Sequence, residues 1–160
     1  MTNAKVRRLA LSGMLSALVL LFTYLVKLPV PATGGYIHLG DGVIFLAAWL
    51  LGPSAALIAG VGSALADVLG GYFIYALPTF VIKAAMGALA GHLLRRGKPL
   101  RNALVFALAE GVMIAGYFLL EWALYGGAAA LAAAGGNLLQ GLSGIALGLL
   151  LTRFARHMQI

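Results

Sequence analysis

Apolar residues run along this chain in long blocks, separated by short polar or basic stretches. The blocks cover residues 9–26, about 39–51, 54–70, 77–94, 102–125 and about 128–152. They are rich in Leu and Ala and lack the two-residue alternation that lipid-facing strands require, which argues against a β-barrel. A helix needs roughly 20 apolar residues to cross about 30 Å of hydrocarbon. The pattern predicts an all-α integral membrane protein with six transmembrane helices. The second block is short, and could instead join the third as one helix of about 32 residues, broken only at Gly52-Pro53.

Charge separates these two readings. Lys5, Arg7 and Arg8 flank the first block; Arg95, Arg96, Lys98 and Arg101 lie between the fourth and fifth; Arg153 and Arg156 follow the last. With six spans all of these fall on the N-terminal side, and Lys27 alone lies in a loop on the other. Basic residues concentrate in cytoplasmic loops, so both termini are expected inside, with Gly52-Pro53 as a tight cytoplasmic turn. Proline has no N–H and cannot continue the preceding helix regularly. Residues 27–42 become an external first loop, read as irregular because it holds two prolines and four glycines beyond Lys27.

Composition supports the membrane assignment. Of 160 residues 62% are hydrophobic and 9% charged, against roughly 45–50% and about 25% in soluble domains. A soluble fold of this size has too little interior for that surface, and the polarity that sustains disorder is missing. The net charge of +7 reads as a topology signal, not a nucleic-acid footprint. There is no cysteine, hence no thiol nucleophile and no Cys-based metal site. The first apolar run is about 18 residues, longer than a signal-peptide core of roughly 7–15. No A-x-A-like cleavage site follows it, so it is expected to remain as an uncleaved helix. The 22 glycines fit closely packed membrane helices.

Ionisable groups within spans are costly and mark function by default. Asp67, Lys83, Glu110 and Glu121 qualify, and Asp41 sits at the mouth of the second span. At about 1.5 Å per residue, Lys83 lies roughly 9 Å and Glu121 roughly 6 Å from the outer surface. Asp67, Asn137 and Gln140 share that depth, below the loop carrying Tyr36 and His38. On the fifth span Glu110, Ile114, Tyr117 and Glu121 fall within about 60° of one another, a stripe that faces protein or a cavity. Each group also has a plainer reading. Asp67 and Lys83 could form a structural ion pair, and Asp41 could cap the second helix. His38 suits a loop hydrogen bond better than a metal, and no metal site is expected. Tyr72, Tyr75, Trp122 and Tyr125 suit an interfacial belt. Glu110 could serve helix packing, and Asn137 and Gln140 could bond neighbouring helices. Residues 128–134 are either a bent start to the last helix or a small surface cap. The convergence at one depth singles out Tyr36, His38, Asp67, Lys83, Tyr117, Glu121, Asn137 and Gln140 as candidate ligand-binding residues.

Four segments carry a family resemblance: TGGYIHLGDGVIFLAAWLLGP at 33–53, GVGSALADVLGGY at 60–72, PTFVIKAAMGALAG at 78–91 and GYFLLEWALYG at 116–126. With these the chain resembles the substrate-binding S components of energy-coupling factor (ECF) transporters, over nearly its whole length. It looks most like the branch with carriers for hydroxymethylpyrimidine and pyridoxine, with carriers for queuosine precursors nearby. The resemblance implies a six-helix bundle with an outward-opening pocket under the first loop. It implies partnership with a transmembrane coupling protein and two cytoplasmic ATPases. Small residues on the first helix, often A-x-x-x-A, are the family's coupling contact; here the nearest match is Gly13-x-x-x-Ala17 with Ala10 one turn earlier. No G-x-x-x-x-G-K-[ST] phosphate loop is present, so ATP would be used by the partners and no cofactor is expected on this chain.

Three functional classes are compatible with these residues to different degrees. The first is capture of a small, flat, nitrogen-containing vitamin or precursor from outside, for uptake driven by partner ATPases. The second is a stand-alone proton-coupled transporter using Asp67 or Glu121, although no internal repeat of the kind such carriers show is evident. The third is an intramembrane enzyme built on Ser63 and His92, opposed by their different depths. No catalytic residue is expected.

Overall fold

The structure is a computed structural model and describes residues 3–30 and 34–157. It contains six α-helices: α1 (Asn3–Tyr24), α2 (Gly40–Leu51), α3 (Ala55–Leu69), α4 (Phe73–Leu93), α5 (Pro99–Tyr125) and α6 (Gly127–His157). A 3₁₀ turn, Gly52–Ser54, links α2 to α3. The helices begin and end within a few residues of the apolar blocks, because hydropathy sets their extent. α1 and α6 run further than the blocks do, α1 starting at Asn3 and α6 ending at His157. Residues 128–134 are the first turns of α6 and not a separate cap.

Among the described residues, five helical stretches are long and apolar enough to cross a membrane: Asn3–Tyr24, Gly40–Leu69, Phe73–Leu93, Pro99–Tyr125 and Gly127–His157. The second joins α2 and α3, which are individually short; the 12 residues of α2 reach only about 18 Å. The pair is nevertheless not one straight rod. A straight helix would put Asp67 roughly 39 Å from Asp41. Instead Tyr36, just before α2, hydrogen-bonds Asp67 near the end of α3 at 2.6 Å. At the far end of α2, Arg8 donates to both the Leu51 carbonyl and the Ser54 hydroxyl. α3 therefore folds back along α2. Gly52 makes the reversal at φ 60°, a conformation that side-chain-bearing residues rarely adopt.

Small residues bring the helices close. A Cβ on Gly62 would lie 2.6 Å from the Ser16 carbonyl oxygen of α1, and one on Gly87 2.5 Å from the Ala55 carbonyl oxygen of α3. Between the helices lies a core of Leu15, Val19, Ile44, Phe45, Met86, Phe106 and Met113, with Phe45 and Phe106 stacked at 4.1 Å. The outward faces are apolar as well: Phe73, Leu77, Leu100 and Leu131 are each between 68% and 77% exposed. Apolar side chains on both faces suit a bundle surrounded by hydrocarbon.

Alternating helices sort the two ends of the bundle. Arg8, Leu51, Ser54, Arg95 and Asn102 meet at one end, where Arg96 also stacks over Trp49 at 4.6 Å. At that end Arg153 and Arg156 line a recess with Pro99. The opposite end carries a feature the sequence reading did not expect. Instead of an irregular loop, β1 (Leu28–Val30) pairs antiparallel with β2 (Gly35–Ile37). Residues 31–33, which include the first residue of the TGGYIHLGDG segment, lie outside the described residues, and Asp41 and Gly42 already belong to α2.

Candidate functional site

The hairpin roofs a polar pocket at the end of the bundle opposite the basic cluster. The pocket is narrow and is lined by Thr23, Gly35, Tyr36, His38, Asp67, Tyr72, Tyr75, Thr79, Tyr117, Glu121, Asn137 and Gln140. Every helix except α2 supplies a wall residue, and β2 supplies the roof. A recess lined by aromatic rings with a few placed polar groups has the make-up of a small-molecule site.

The roof is held by Tyr36. Its hydroxyl donates to Asp67 Oδ1 at 2.6 Å, and its ring lies 4.7 Å from that of Tyr72. Above them the Lys27 ammonium sits 4.5, 4.4 and 5.0 Å from the centroids of Tyr24, Tyr36 and Tyr72. Ring faces attract cations through their quadrupole. Partial burial pulls the Lys27 pKa down, and the nearby Asp67 opposes that shift. The Tyr36 phenol is pushed above its ordinary range, first by burial and then by the Asp67 charge. It therefore stays a donor.

A second chain of bonds anchors the roof to the bundle floor. The His38 N–H donates to Gln140 Oε1 at 3.0 Å, Gln140 Nε2 donates to Asp41 Oδ2 at 2.7 Å, and Lys83 Nζ donates to Asp41 Oδ1 at 2.5 Å. Asp41 and Lys83 are both fully buried. The His38 ring accepts the Gly40 N–H on Nδ1 at 3.0 Å, tying down a free N–H at the start of α2. Burial above all lowers the His38 pKa to about 3, with the Asp41 charge opposing, so the ring is neutral at physiological pH.

Seven of the eight residues singled out from sequence line this pocket. The exception is Lys83, which lies beneath it as the Asp41 partner. An Asp67–Lys83 ion pair is thus replaced by an Asp41–Lys83 pair. Nor does Asp41 act as a helix cap: the N-cap of α2 is Leu39, with no side-chain capping bond. Depth along the helices left Lys83 within reach of both acids and could not choose between them. On the opposite wall Asn137 donates to Glu121 at 3.4 Å, and the Thr79 and Tyr117 hydroxyls are 3.0 Å apart. The Glu110 stripe divides. Tyr117 and Glu121 face the pocket, while Glu110 is 2% exposed, packed against Gly141 and Gly144, with both carboxyl oxygens lacking a hydrogen-bond partner among the described residues.

Sequence reading missed Thr23, Gly35, Tyr72, Tyr75 and Thr79 in the lining. Tyr72 and Tyr75 resembled an interfacial belt, and the antiparallel turn between α3 and α4 points them inward instead. Thr23 ends α1 and carries no pattern that marks it. Ser63 and His92 do not meet. Gly60 packs on Phe80, and His92 lies a further roughly 18 Å along α4, exposed and bonded to the Ala88 carbonyl. Among the described residues no cluster of three or more His, Cys, Asp or Glu could hold a metal.

Away from the pocket, Ala10, Gly13 and Ala17 lie exposed on α1. Gly13 borders a groove between α1 and α3 with Ser12, Ser16, Leu57 and Val61, and a Cβ on it would meet nothing within 4 Å.

Comparison with known proteins places this architecture. Residues 3–156 match the family described as ECF-type riboflavin transporter, S component. An uncharacterized protein of Pyrococcus woesei is 41% identical over 128 residues, covering 79% of this chain and 86% of that one. The thiamine precursor transporter HmpT of Lactococcus lactis subsp. cremoris (strain MG1363) is 32% identical over 154 residues, covering 95% of this chain and 89% of that one. These names describe transporter components and not enzymes, and the apolar helices are those of a membrane protein. The chain belongs to the family of ECF-type transporter S components.

Proposed function

We propose that this chain captures a small vitamin or vitamin precursor, of hydroxymethylpyrimidine or pyridoxine type, from outside the cell. A transmembrane coupling protein and two cytoplasmic ATPases then drive uptake, with ATP consumed by those partners. The observation that carries this reading is the roofed polar pocket at the end of the bundle opposite the basic cluster. Six crossings with both termini cytoplasmic put the pocket outside, in keeping with basic residues remaining in the cytoplasm. The pocket combines tyrosine rings for stacking with carboxylate and amide groups for orientation. Tyr36 and Tyr72 stand 4.7 Å apart, which leaves no slot between them for a ring, so the ligand lies below, among Thr79, Tyr117, Glu121 and Asn137. That confined floor favours a single-ring ligand over the three-ring flavin in the family's name. The α1 face of Ala10, Gly13 and Ala17 suits close approach of a partner helix.

The test is calorimetric titration of the purified chain in lipid nanodiscs with hydroxymethylpyrimidine, pyridoxine, thiamine, riboflavin and a queuosine precursor base. Submicromolar binding of a single-ring compound is expected. Preference for riboflavin or the precursor base would overturn the substrate class, and no binding to any would overturn the capture role. Uptake by the chain alone, driven by a proton gradient in ATPase-free vesicles, would instead establish a stand-alone carrier.

A further inference from the structure

We infer that the recess between the start of α5 and the end of α6 binds the headgroup of an anionic membrane phospholipid. It lies at the basic end of the bundle, away from the roofed pocket, and takes a different kind of molecule. Pro99 and Asn102 of α5 and Leu149, Thr152, Arg153 and Arg156 of α6 line it. Two of its polar side chains are already occupied. Asn102 accepts the Arg95 N–H at 3.1 Å and donates to the Arg95 carbonyl at 2.9 Å. The Thr152 hydroxyl donates to the Gly148 carbonyl at 2.7 Å. Arg153 and Arg156 remain. Both are exposed, and neither makes a hydrogen bond or ion pair among the described residues. At the same end Arg8 is held by the Leu51 carbonyl and Ser54, and Arg96 lies over Trp49.

Charge and shape select the occupant. The chain has four acidic residues, and Asp41, Asp67, Glu110 and Glu121 are each 4% exposed or less within the bundle. No carboxylate side chain of this protein meets the two guanidiniums, so an outside anion has no internal competitor among them. Residues three apart on a helix are neighbours on its surface, so Arg153 and Arg156 can converge on one phosphate, which accepts paired N–H donors. A helix C-terminus favours cations by itself, which accounts for basic residues here but not for the recess. The apolar continuation separates a lipid from a dissolved anion. Leu149 and Leu142 precede Arg156 by one and two steps of seven residues, a spacing that keeps to one helix face. Leu142 is 58% exposed, so the face that ends in guanidinium continues as apolar surface along which an acyl chain can lie. Basic recesses between membrane helices receive anionic headgroups on the cytoplasmic side, where the proposed orientation puts this one. With Asn102 and Thr152 occupied, the recess reads negative charge and not the headgroup alcohol, and a choline ammonium would stand against two guanidiniums. The inference needs only that this end lies at a membrane surface, so it survives failure of the vitamin-capture reading.

Native mass spectrometry of the full chain, released from detergent micelles with one lipid at a time, tests this. The probes are dioleoyl-phosphatidylglycerol, dioleoyl-phosphatidylserine and dioleoyl-phosphatidylcholine at equal concentration. Both anionic lipids are expected to bind about 10-fold tighter than phosphatidylcholine. Arg153→Gln with Arg156→Gln is expected to bring all three within about twofold. Lys5→Gln with Arg7→Gln removes the same charge from α1 at the same end, and is expected to leave a preference of about fivefold or more. Equal binding of anionic and zwitterionic lipids by the unaltered chain overturns the inference. So does an equal loss of preference in the α1 variant, which would reduce the effect to net charge. Displacement of phosphatidylglycerol by equimolar inorganic phosphate would make the recess a free-anion site, and displacement by equimolar hexaglutamate would make it a protein-docking site; either result overturns the lipid assignment. Should the double variant not fold, Arg156→Gln alone is expected to lower the preference about threefold, and an unchanged ratio overturns the inference.

Discussion

The Asp41–Lys83 pair gives the sharpest energetic prediction. Both side chains are 0% exposed, the contact is 2.5 Å, and Gln140 satisfies the second Asp41 oxygen at 2.7 Å. At an effective dielectric near 20 the bare attraction is about 7 kcal/mol, and desolvation of two ions offsets most of it. The net worth of the pair is therefore small, but each charge depends on the other. Lys83→Met leaves Asp41 buried with Gln140 as its remaining donor, and Asp41→Asn leaves a buried ammonium without a counter-charge. Each single variant is expected to lose about 3–5 kcal/mol of stability. The double variant Asp41→Asn with Lys83→Met leaves no charge behind and keeps an acceptor for Gln140. It is expected to be no less stable than either single variant, a coupling of at least about 3 kcal/mol between neighbours. Equilibrium unfolding in mixed detergent micelles, followed by circular dichroism, measures all four proteins. Single variants within about 0.5 kcal/mol of the parent, or a double variant at the sum of the two losses, would refute the reasoning.

Further outcomes follow from the same geometry. Tyr36→Phe removes the 2.6 Å bond to Asp67; loss of a charge-assisted bond of about 1.5–3 kcal/mol should speed ligand release roughly tenfold or more in stopped-flow displacement. His38 has a folded pKa of about 3, below its unfolded value near 6.5. Its contribution to stability is complete above about pH 6.5 and is lost as pH falls toward 3, so unfolding at stepped pH should show a decline that His38→Gln removes. Gly87→Ala drives a Cβ to 2.5 Å from the Ala55 carbonyl; overpacking against backbone should cost about 1–3 kcal/mol in the same unfolding assay. Gly13→Leu adds bulk to an open face of α1, and should leave ligand affinity unchanged while blocking ATP-driven uptake in vesicles holding the complete transporter.

Much of the helical architecture was legible because it rests on hydropathy, which acts locally. Blocks of Leu and Ala set the helices, and Gly52-Pro53 marked the reversal between α2 and α3. The grouping of the candidate residues was legible in outline for the same reason. Antiparallel helices turn sequence position into depth, which gathered Asp67, Tyr117, Glu121, Asn137 and Gln140 at one end. Rotation and partner choice were not legible. Asp41 and Asp67 both lie at a depth that Lys83 can reach, and only packing decides that Asp41 takes it. Tyr72 and Tyr75 sit where either lipid headgroups or a pocket could claim them, and the α3–α4 turn chooses the pocket. The hairpin was hidden because its strands have only three residues each, too short for alternation to register. Thr23 was hidden because a single hydroxyl at the end of an apolar helix resembles many that do nothing.

The account stands most directly on the pocket being an outward-facing receptacle that the ligand fills. Because the chain has no cysteine, single Tyr72→Cys and Lys98→Cys variants can be labelled in intact cells with a membrane-impermeant thiol reagent. Tyr72→Cys is predicted to react from outside and to be protected by saturating ligand, while Lys98→Cys reacts only after the membrane is opened. Labelling at position 98 from outside, or labelling at position 72 that ligand leaves unchanged, would contradict it.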